Sequence, residues 1–454
     1  MIMPAKKARK HLSGDSLLRL LRARFDRIAD PRGSNVEIPL GDALMSAFAM
    51  FALKDPSLLA FDKRRHDPTD NFRSIYLLDR IPCDTQMRAI LDPLDPQQLR
   101  SVFGDIFRRL QRGKALERFV YLNGHYLISL DGTTYFSSPK VHCPSCLVNH
   151  HRSGGTTYQH QLLGASLVHP DLKEVIPLAP EPIINPDGHT KNDCERNATR
   201  RWLQHFRREH PRLPVILVED ALSANAPHLR DLRDYGMRYI IGVKPGSHAF
   251  LFQHLRDADE AGRTQTLTEI EPTTGVLHHY RFHHKMPLNE ANPEELVNVL
   301  EYWEIHPDGK IQYFSWITGL ALNPDNVYAV MRAGRARWKI ENETFNTLKN
   351  QGYHLEHNYG HGECNLSVVL ALLMMLAFLV DQTQQLCCPL FQAAWRKSGT
   401  KCHLWEEVRT FFRIFRFDSW EELLTALIRG VALHPPVLLQ DSQTHRSHSQ
   451  QNHG

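Results

Sequence analysis

Residues 366 to 380 read LSVVLALLMMLAFLV, fifteen positions with a single polar residue. The run is shorter than the ~20 residues that span a bilayer, so the rest of the chain must keep water from it. A helix that is apolar on every side has to be surrounded, which predicts a buried core helix and no membrane partner. The chain has 454 residues, so there is enough of it to do the surrounding. At the usual ~150 residues per domain, two or more domains are expected.

Charge narrows the function classes. Lys and Arg number 54 against 50 Asp and Glu, a net +4, which excludes a histone-like or strongly acidic protein. Any nucleic-acid surface must therefore be local. Apolar residues make up 42% of the chain, a globular composition. The first thirty residues carry eight basic side chains, Lys6, Lys7, Arg9, Lys10, Arg19, Arg22, Arg24 and Arg27, against Asp15, Asp26 and Asp30. This arm either lies on phosphates or is a solvated lead into an amphipathic helix over 16–28. No signal-type apolar stretch follows it, so the eight cysteines are expected in a reducing cytoplasm, as thiols or metal ligands.

Helical spacing continues to about residue 120 (43–53, 84–91, 97–110), punctuated by Pro56, Pro68 and Pro82. The pattern then changes to short apolar runs. Residues 126–130 predict a buried strand ending at Asp131, and 161–168 with 174–178 predict two strands joined by an HPDLK turn. A helix with an Arg-rich face follows at 193–209 (Arg196, Arg200, Arg201, Arg207, Arg208). Next come a strand at 214–219 ending at Asp220, a helix near 224–234, and a strand at 238–243 leading to Lys244. Strands followed by alternating helix and strand make an α/β layer. Stretches 277–282, 297–305 and 312–320 form a β-rich insertion, after which the pattern is helical to about residue 430. The resulting division is 1–120 helical, 121–245 α/β, 246–322 β-rich insertion, 323–380 second part of the core, 381–440 helical and 441–454 a low-complexity disordered tail.

Two buried strands thus end in aspartate, Asp131 and Asp220, where open α/β sheets commonly place ligands. Asp131-Gly132 is equally an ordinary turn and Asp220 an ordinary helix cap. A third acid lies in RWKIENETFNTLK. On a regular helical wheel Glu341 falls within about 60° of Trp338, Phe345 and Leu348, whereas Glu343 lies about 160° away from it. A carboxylate on that inward stripe requires a cation, a metal ion or else an ion pair with Arg337 or Lys349. Three carboxylates with hard oxygen donors suit Mg²⁺ or Mn²⁺, and two such ions can activate a water or 3′-hydroxyl and stabilise the leaving oxygen in phosphodiester chemistry.

With those residues in place, the segments LISLDGTTYFSS, VILVEDALSANAPHL, RYIIGVKPGSH and RARWKIENETFNTLKNQGYHLEHNYGHG resemble a bacterial insertion-sequence transposase with an Asp-Asp-Glu catalytic domain, over roughly residues 125 to 380. The resemblance implies an α/β fold, an RNase H-like mixed sheet with a β-rich insertion, flanked by helical N- and C-terminal regions. It implies a catalytic and metal-binding triad of Asp131, Asp220 and Glu341 with Mg²⁺ or Mn²⁺. It also implies double-stranded DNA partners (terminal inverted repeats and target), a dimer or larger synaptic assembly, and a cytoplasmic, nucleoid-associated location. The family's Tyr-Arg-Glu-Lys signature is met by Arg337 and Glu341. Lys349 comes one residue late, and Gly334 stands where the Tyr belongs. Arg337, Lys349, Lys244 and Arg335 are the candidate DNA contacts. The alternatives are an RNase H-like nuclease that only hydrolyses, or a catalytically silent DNA-binding derivative.

One more motif stands apart. HCPSCLVNHH contains a Cys-x-x-Cys knuckle, and Cys143, Cys146, His150 and His160 form a candidate zinc set, with a plain pair of loop thiols as the other reading. His354, His357 and His361 read as ordinary loop histidines.

Overall fold

The computed structural model describes residues 10–33, 36–185 and 192–430. The basic arm through Arg9 and the tail at 441–454 lie outside the described residues. Helices at Gly14–Phe25, Leu40–Ala52, Leu58–Arg64, Asn71–Ser74, Asp84–Leu91 and Gln97–Arg112 open the chain. The first begins earlier than its apolar spacing suggests, because Ser13 caps it by accepting from the Ser16 N–H.

Eleven strands follow among the described residues: β1 (Tyr126–Ser138), β2 (Leu147–His150), β3 (Thr156–Val168), β4 (Ile176–Pro177), β5 (Glu181–Ile183), β6 (Val215–Glu219), β7 (Arg238–Gly242), β8 (Gln265–Ile270), β9 (Leu277–Asn289), β10 (Asn292–Ile305) and β11 (Ile311–Thr318). They form one sheet in the order β2-β3-β1-β6-β7-β11-β10-β9-β8, with β4 and β5 also paired to β3. β1 pairs antiparallel with β3 and parallel with β6, and β6 pairs parallel with β7, an RNase H-like mixed core. Helices Glu195–Glu209 and Ala226–Asp234 make the crossovers.

Two expectations are corrected here. β1 does not end at Asp131 but runs on to Ser138, because its antiparallel partner β3 keeps supplying hydrogen bonds after its parallel partner β6 has stopped. The insertion begins with a helix, Ala249–Glu260, whose Leu251, Phe252, Leu255 and Ala258 are buried. The insertion's strands extend the core sheet. β11 pairs with β7 (Ile317 opposite Ile241), so the core sheet continues through them.

The apolar run lies in helix Leu366–Cys387, in which every residue from Leu366 to Leu386 is buried. It is long and apolar enough to cross a membrane by length and composition, yet 94% of its most apolar stretch is enclosed by the protein. The helix extends seven residues beyond the run. Its polar end consists of latches: Gln382 Oε1 accepts from the Val175 N–H at 3.2 Å, Gln384 Oε1 accepts from Trp420 Nε1 at 2.6 Å, and Asp381 takes Lys54 Nζ at 2.6 Å. Its N-terminus is closed by Asp92, whose carboxylate accepts from the backbone N–H groups of Glu363, Cys364, Asn365 and Leu366. Burial works against ionising Asp92, but these donors prevail and hold it below the usual carboxylate range.

Lys54 is fully enclosed and also donates to the carbonyls of Phe51 and Ala52, with the Tyr353 and Trp405 rings over its ammonium. Burial pulls its pKa below the ordinary lysine value despite Asp381. Removing one partner of such a pair leaves a bare charge in the core, so Asp381→Ala should lower unfolding free energy by about 3–5 kcal/mol. The double variant Lys54→Met/Asp381→Leu should recover most of that in a urea titration. If the double variant is less stable than Asp381→Ala alone, the pair contributes more than charge compensation.

Candidate functional site

The register of the parallel strands sets the site. β1 and β6 are aligned as far as Ser129 opposite Val218, and Asp131 and Asp220 each lie two residues beyond that last pair, Asp131 still on β1 and Asp220 just past the end of β6. Ser129 and Asp131, two residues apart on β1, face the same side of the sheet. This is the side on which the segment carrying Glu341 lies. Ser129 Oγ donates to the Arg337 carbonyl at 3.1 Å, and Ser166 Oγ lies 3.1 Å from Thr344 Oγ1. The Phe345 ring rests on Gly164, where an added Cβ would come within 2.7 Å of it. Small residues in adjacent register (Ser129 opposite Ser166, Asp131 opposite Gly164) let the helix approach the sheet closely.

That helix is not regularly wound. After Val327–Arg335 comes a tight turn at Ala336–Trp338, then a π-helical turn at Ile340–Phe345, then Asn346–Asn350. A π turn accommodates one additional residue and is often found at functional sites. It offers a physical account of the late position of Lys349. It also invalidates the 100° wheel. The buried side chains are Ile340, Thr344, Phe345, Thr347 and Leu348, while Trp338, expected inward, is 48% exposed. Glu341 is at the edge of the packed face, its side chain 40% exposed.

Arg337 joins the two acids that the sequence singled out. Its Nη1 lies 3.2 Å from Asp131 Oδ2 and 3.0 Å from Glu341 Oε1, and its guanidinium sits 4.5 Å from the centre of the Trp338 ring. Burial, then the contact with the Glu341 carboxylate, push the Asp131 carboxyl up to about 7 against the pull of Arg337. Asp220 is half-buried and its Oδ1 accepts from the Leu222 N–H at 2.9 Å, so it caps the turn after β6 as well as facing the cleft. That cleft is lined by Asp220, Lys244, Tyr313, Trp316, Arg337 and Trp338.

A fourth carboxylate was not anticipated. Glu195 opens the helix Glu195–Glu209 and takes a backbone hydrogen bond from Gly132, whose missing side chain leaves room for it: a Cβ there would be 2.7 Å from Glu195 Oε2. Burial, and then the charges of Asp220 and Glu219, raise its pKa. Spacing gave no signal for Glu195, because its place depends on the crossover from β5.

The candidate DNA contacts separate. Lys244 is exposed at the cleft mouth and Arg196 lines the adjoining groove beside Asp220. Arg335 pairs with Glu304 on a different face, and Lys349 pairs with Glu356 at 2.8 Å, so neither meets the carboxylates. Much of the Arg face is engaged within the fold: Arg200 with Asp231, Arg201 with Glu181 and Asp193, and Arg207 with the His210 and Leu213 carbonyls.

The zinc set is also rearranged. Cys143, Cys146, His160 and His361 are buried with potential ligand atoms within 4.8 Å of one another. His150 is exposed and bonds Thr156 Oγ1 at 3.0 Å. Its strand β2 pairs with β3 and carries it away from the knuckle, and His361 stands in the place expected for it.

No family model matches the sequence, and no curated protein matches it. Among solved structures, the chain is similar to the piggyBac transposase seen by cryo-electron microscopy in a synaptic complex with hairpin DNA. The TM-score is 0.42 with 10% sequence identity, over 95% of this chain and 84% of that one.

The raised Asp131 pKa has a sign. A carboxyl that ionises near 4 when unfolded but near 7 when folded favours the folded state only while protonated, so without divalent metal stability should fall between about pH 4 and pH 7 and level off above. Asp131→Asn should remove this component: near wild-type stability at pH 4, higher than wild type at pH 8. Thermal melting across pH checks this, and an Asp131→Asn curve parallel to wild type would refute the assignment.

Proposed function

We propose that the chain is a DNA transposase of the Asp-Asp-Glu type, with Asp131, Asp220 and Glu341 as its acidic triad. The observation that carries this reading is that Asp131 and Asp220 both follow the paired stretch of the adjacent parallel strands β1 and β6, with Arg337 bonded to both Asp131 and Glu341. The sequence resemblance points to the same three residues.

Divalent metal fits this set. The carboxylates bring hard oxygen donors, and the Asp131 carboxyl is pushed up to about 7 by burial first and by its contact with Glu341 second, so a cation beside it would favour its charged form. Asp131, Asp220 and Glu341 would hold Mg²⁺ or Mn²⁺, which supplies activation of a water or 3′-hydroxyl and stabilisation of the leaving oxygen. The chain's own groups do the rest. Arg337 neutralises and positions Asp131 and Glu341. Lys244 and Arg196 present positive charge beside Asp220 for the phosphate backbone. Trp338, exposed at the cleft edge, offers a ring face to a base. The N-terminal helical region is the part we assign to end binding, and synapsis of two ends calls for a dimer or larger assembly.

A plasmid carrying the gene with its flanking DNA provides the test. Wild-type protein with Mg²⁺ should nick at the element ends and yield joined products, whereas Asp131→Asn, Asp220→Asn and Glu341→Gln should each lose cleavage by at least about 100-fold while still binding the flanks. Glu343→Gln should cost only a few-fold. Cleavage without joining would favour a nuclease, and wild-type cutting by all three variants would overturn the triad. In a separate binding series, Lys244→Ala should lower the slope of log K against log salt by about 0.9. An unchanged slope would remove Lys244 from the DNA path.

A further inference from the structure

Cys143, Cys146, His160 and His361 come from three separate segments. The knuckle forms a turn in which the Cys146 N–H donates to the Cys143 carbonyl at 3.1 Å. His160 comes from β3. His361 comes from the loop that leaves the glutamate helix. Exposures are 7%, 1%, 1% and 8% in that order. Nothing else in the fold requires two thiols and two imidazoles to be buried together.

The spacings among them are informative. Cys143 Sγ and Cys146 Sγ are 3.8 Å apart, too far for a disulfide, and both cysteines are free. His160 Nε2 lies 3.4 Å from Cys143 Sγ and 3.5 Å from Cys146 Sγ, and His361 Nε2 lies 3.4 Å from Cys146 Sγ. A tetrahedral zinc with bonds of about 2.3 Å to sulfur and 2.0–2.1 Å to nitrogen has edges of about 3.8 Å between sulfurs and about 3.5 Å from sulfur to nitrogen. All four measured edges agree with this to about 0.1–0.2 Å. In both rings Nε2 faces the sulfurs, whereas Nδ1 is buried without a hydrogen-bond partner. Two thiolates and one Zn²⁺ sum to no net charge, which suits a site closed to water.

We propose that these four residues form a structural Cys₂His₂ zinc site that fastens the loop following the glutamate helix to the distal end of β1 and β3. Four protein ligands leave no open position, which marks a structural rather than a catalytic metal. Phe136, five residues beyond Asp131 on β1, packs on the His361 ring at 4.5 Å between centroids. The site therefore holds the strand that carries Asp131 and the segment leaving Glu341 in one rigid corner. It stands apart from the carboxylates and does not depend on the transposase reading.

The test uses the full chain purified without added metal. Elemental analysis should find about one zinc per chain, and exchange into Co²⁺ should give the intense visible bands of a tetrahedral thiolate site. Cys146→Ser and His361→Ala should lose the metal and become more readily cleaved by protease within 351–365. His150→Ala should retain it. If the variants do not fold, titrating wild-type protein with a mercurial should release its zinc together with two thiols. Folded wild type that holds no zinc and takes up no Co²⁺ would overturn the proposal. So would a site that survives His361→Ala but is lost in His150→Ala, or zinc released without thiols.

Discussion

β1 has to satisfy its backbone on two sides by two different rules, and the geometry of the site follows from that. Parallel pairing with β6 covers only Tyr126–Ser129, while antiparallel pairing with β3 continues to Ser138. Asp131 lies just past the point where one neighbour has left and the other persists. Its side chain therefore has a rigid strand beneath it and open space beside it. Had β1 stopped where β6 stops, Asp131 would belong to a loop, and the distances to Arg337 and Glu341 would depend on that loop's mobility. The face over β1 and β3 is then kept low by Ser129, Gly164 and Ser166, which lets an irregular helix bring Arg337 between the two acids.

What could be read in the sequence divides along the range of the interaction. Strands β6 and β7 and the helix Asp84–Leu91 were legible because each is a short run whose burial shows in its own residues. The far half of β1 was not, since TTYFSS is polar enough to pass for a loop and is held by β3 alone. The continuation of the core sheet through the insertion depends on β11 finding β7 across about seventy residues, and no local pattern encodes that choice. In the site, the acids at strand ends and the arginine before Glu341 were visible in sequence. The winding that seats them was not, because a wheel assumes a constant 100° per residue and a π turn does not keep it. The Cys-x-x-Cys knuckle announced itself, but its last partner, His361, lies 215 residues from Cys146, and spacing favoured the nearby His150 instead.

Charge is handled differently in the two buried polar clusters. Around Asp131 burial, and then the contact with Glu341, raise the carboxyl to about 7 even though Arg337 bonds it. At the end of the core helix Asp381, Gln382 and Gln384 each have a specific counterpart on another segment, Lys54, Val175 and Trp420 in turn. The first arrangement is the one we propose accepts an additional cation. The second specifies which segments meet and leaves nothing unsatisfied to bind.

The Lys54–Asp381 closure also has a consequence in time. Its partners are 327 residues apart, and ribosomes add about 5–20 residues per second, so roughly 15 to 65 s separate the synthesis of one from that of the other. Through that interval the helix Leu40–Ala52, buried along its whole length in the finished protein, lacks the helix Leu366–Cys387 that covers it. A nascent chain of this design emerges with one apolar helix uncovered and the helix that covers it still to be made. Its yield in the cell should therefore depend on how well the machinery at the ribosome exit shields Leu40–Ala52 until Leu366–Cys387 has been made.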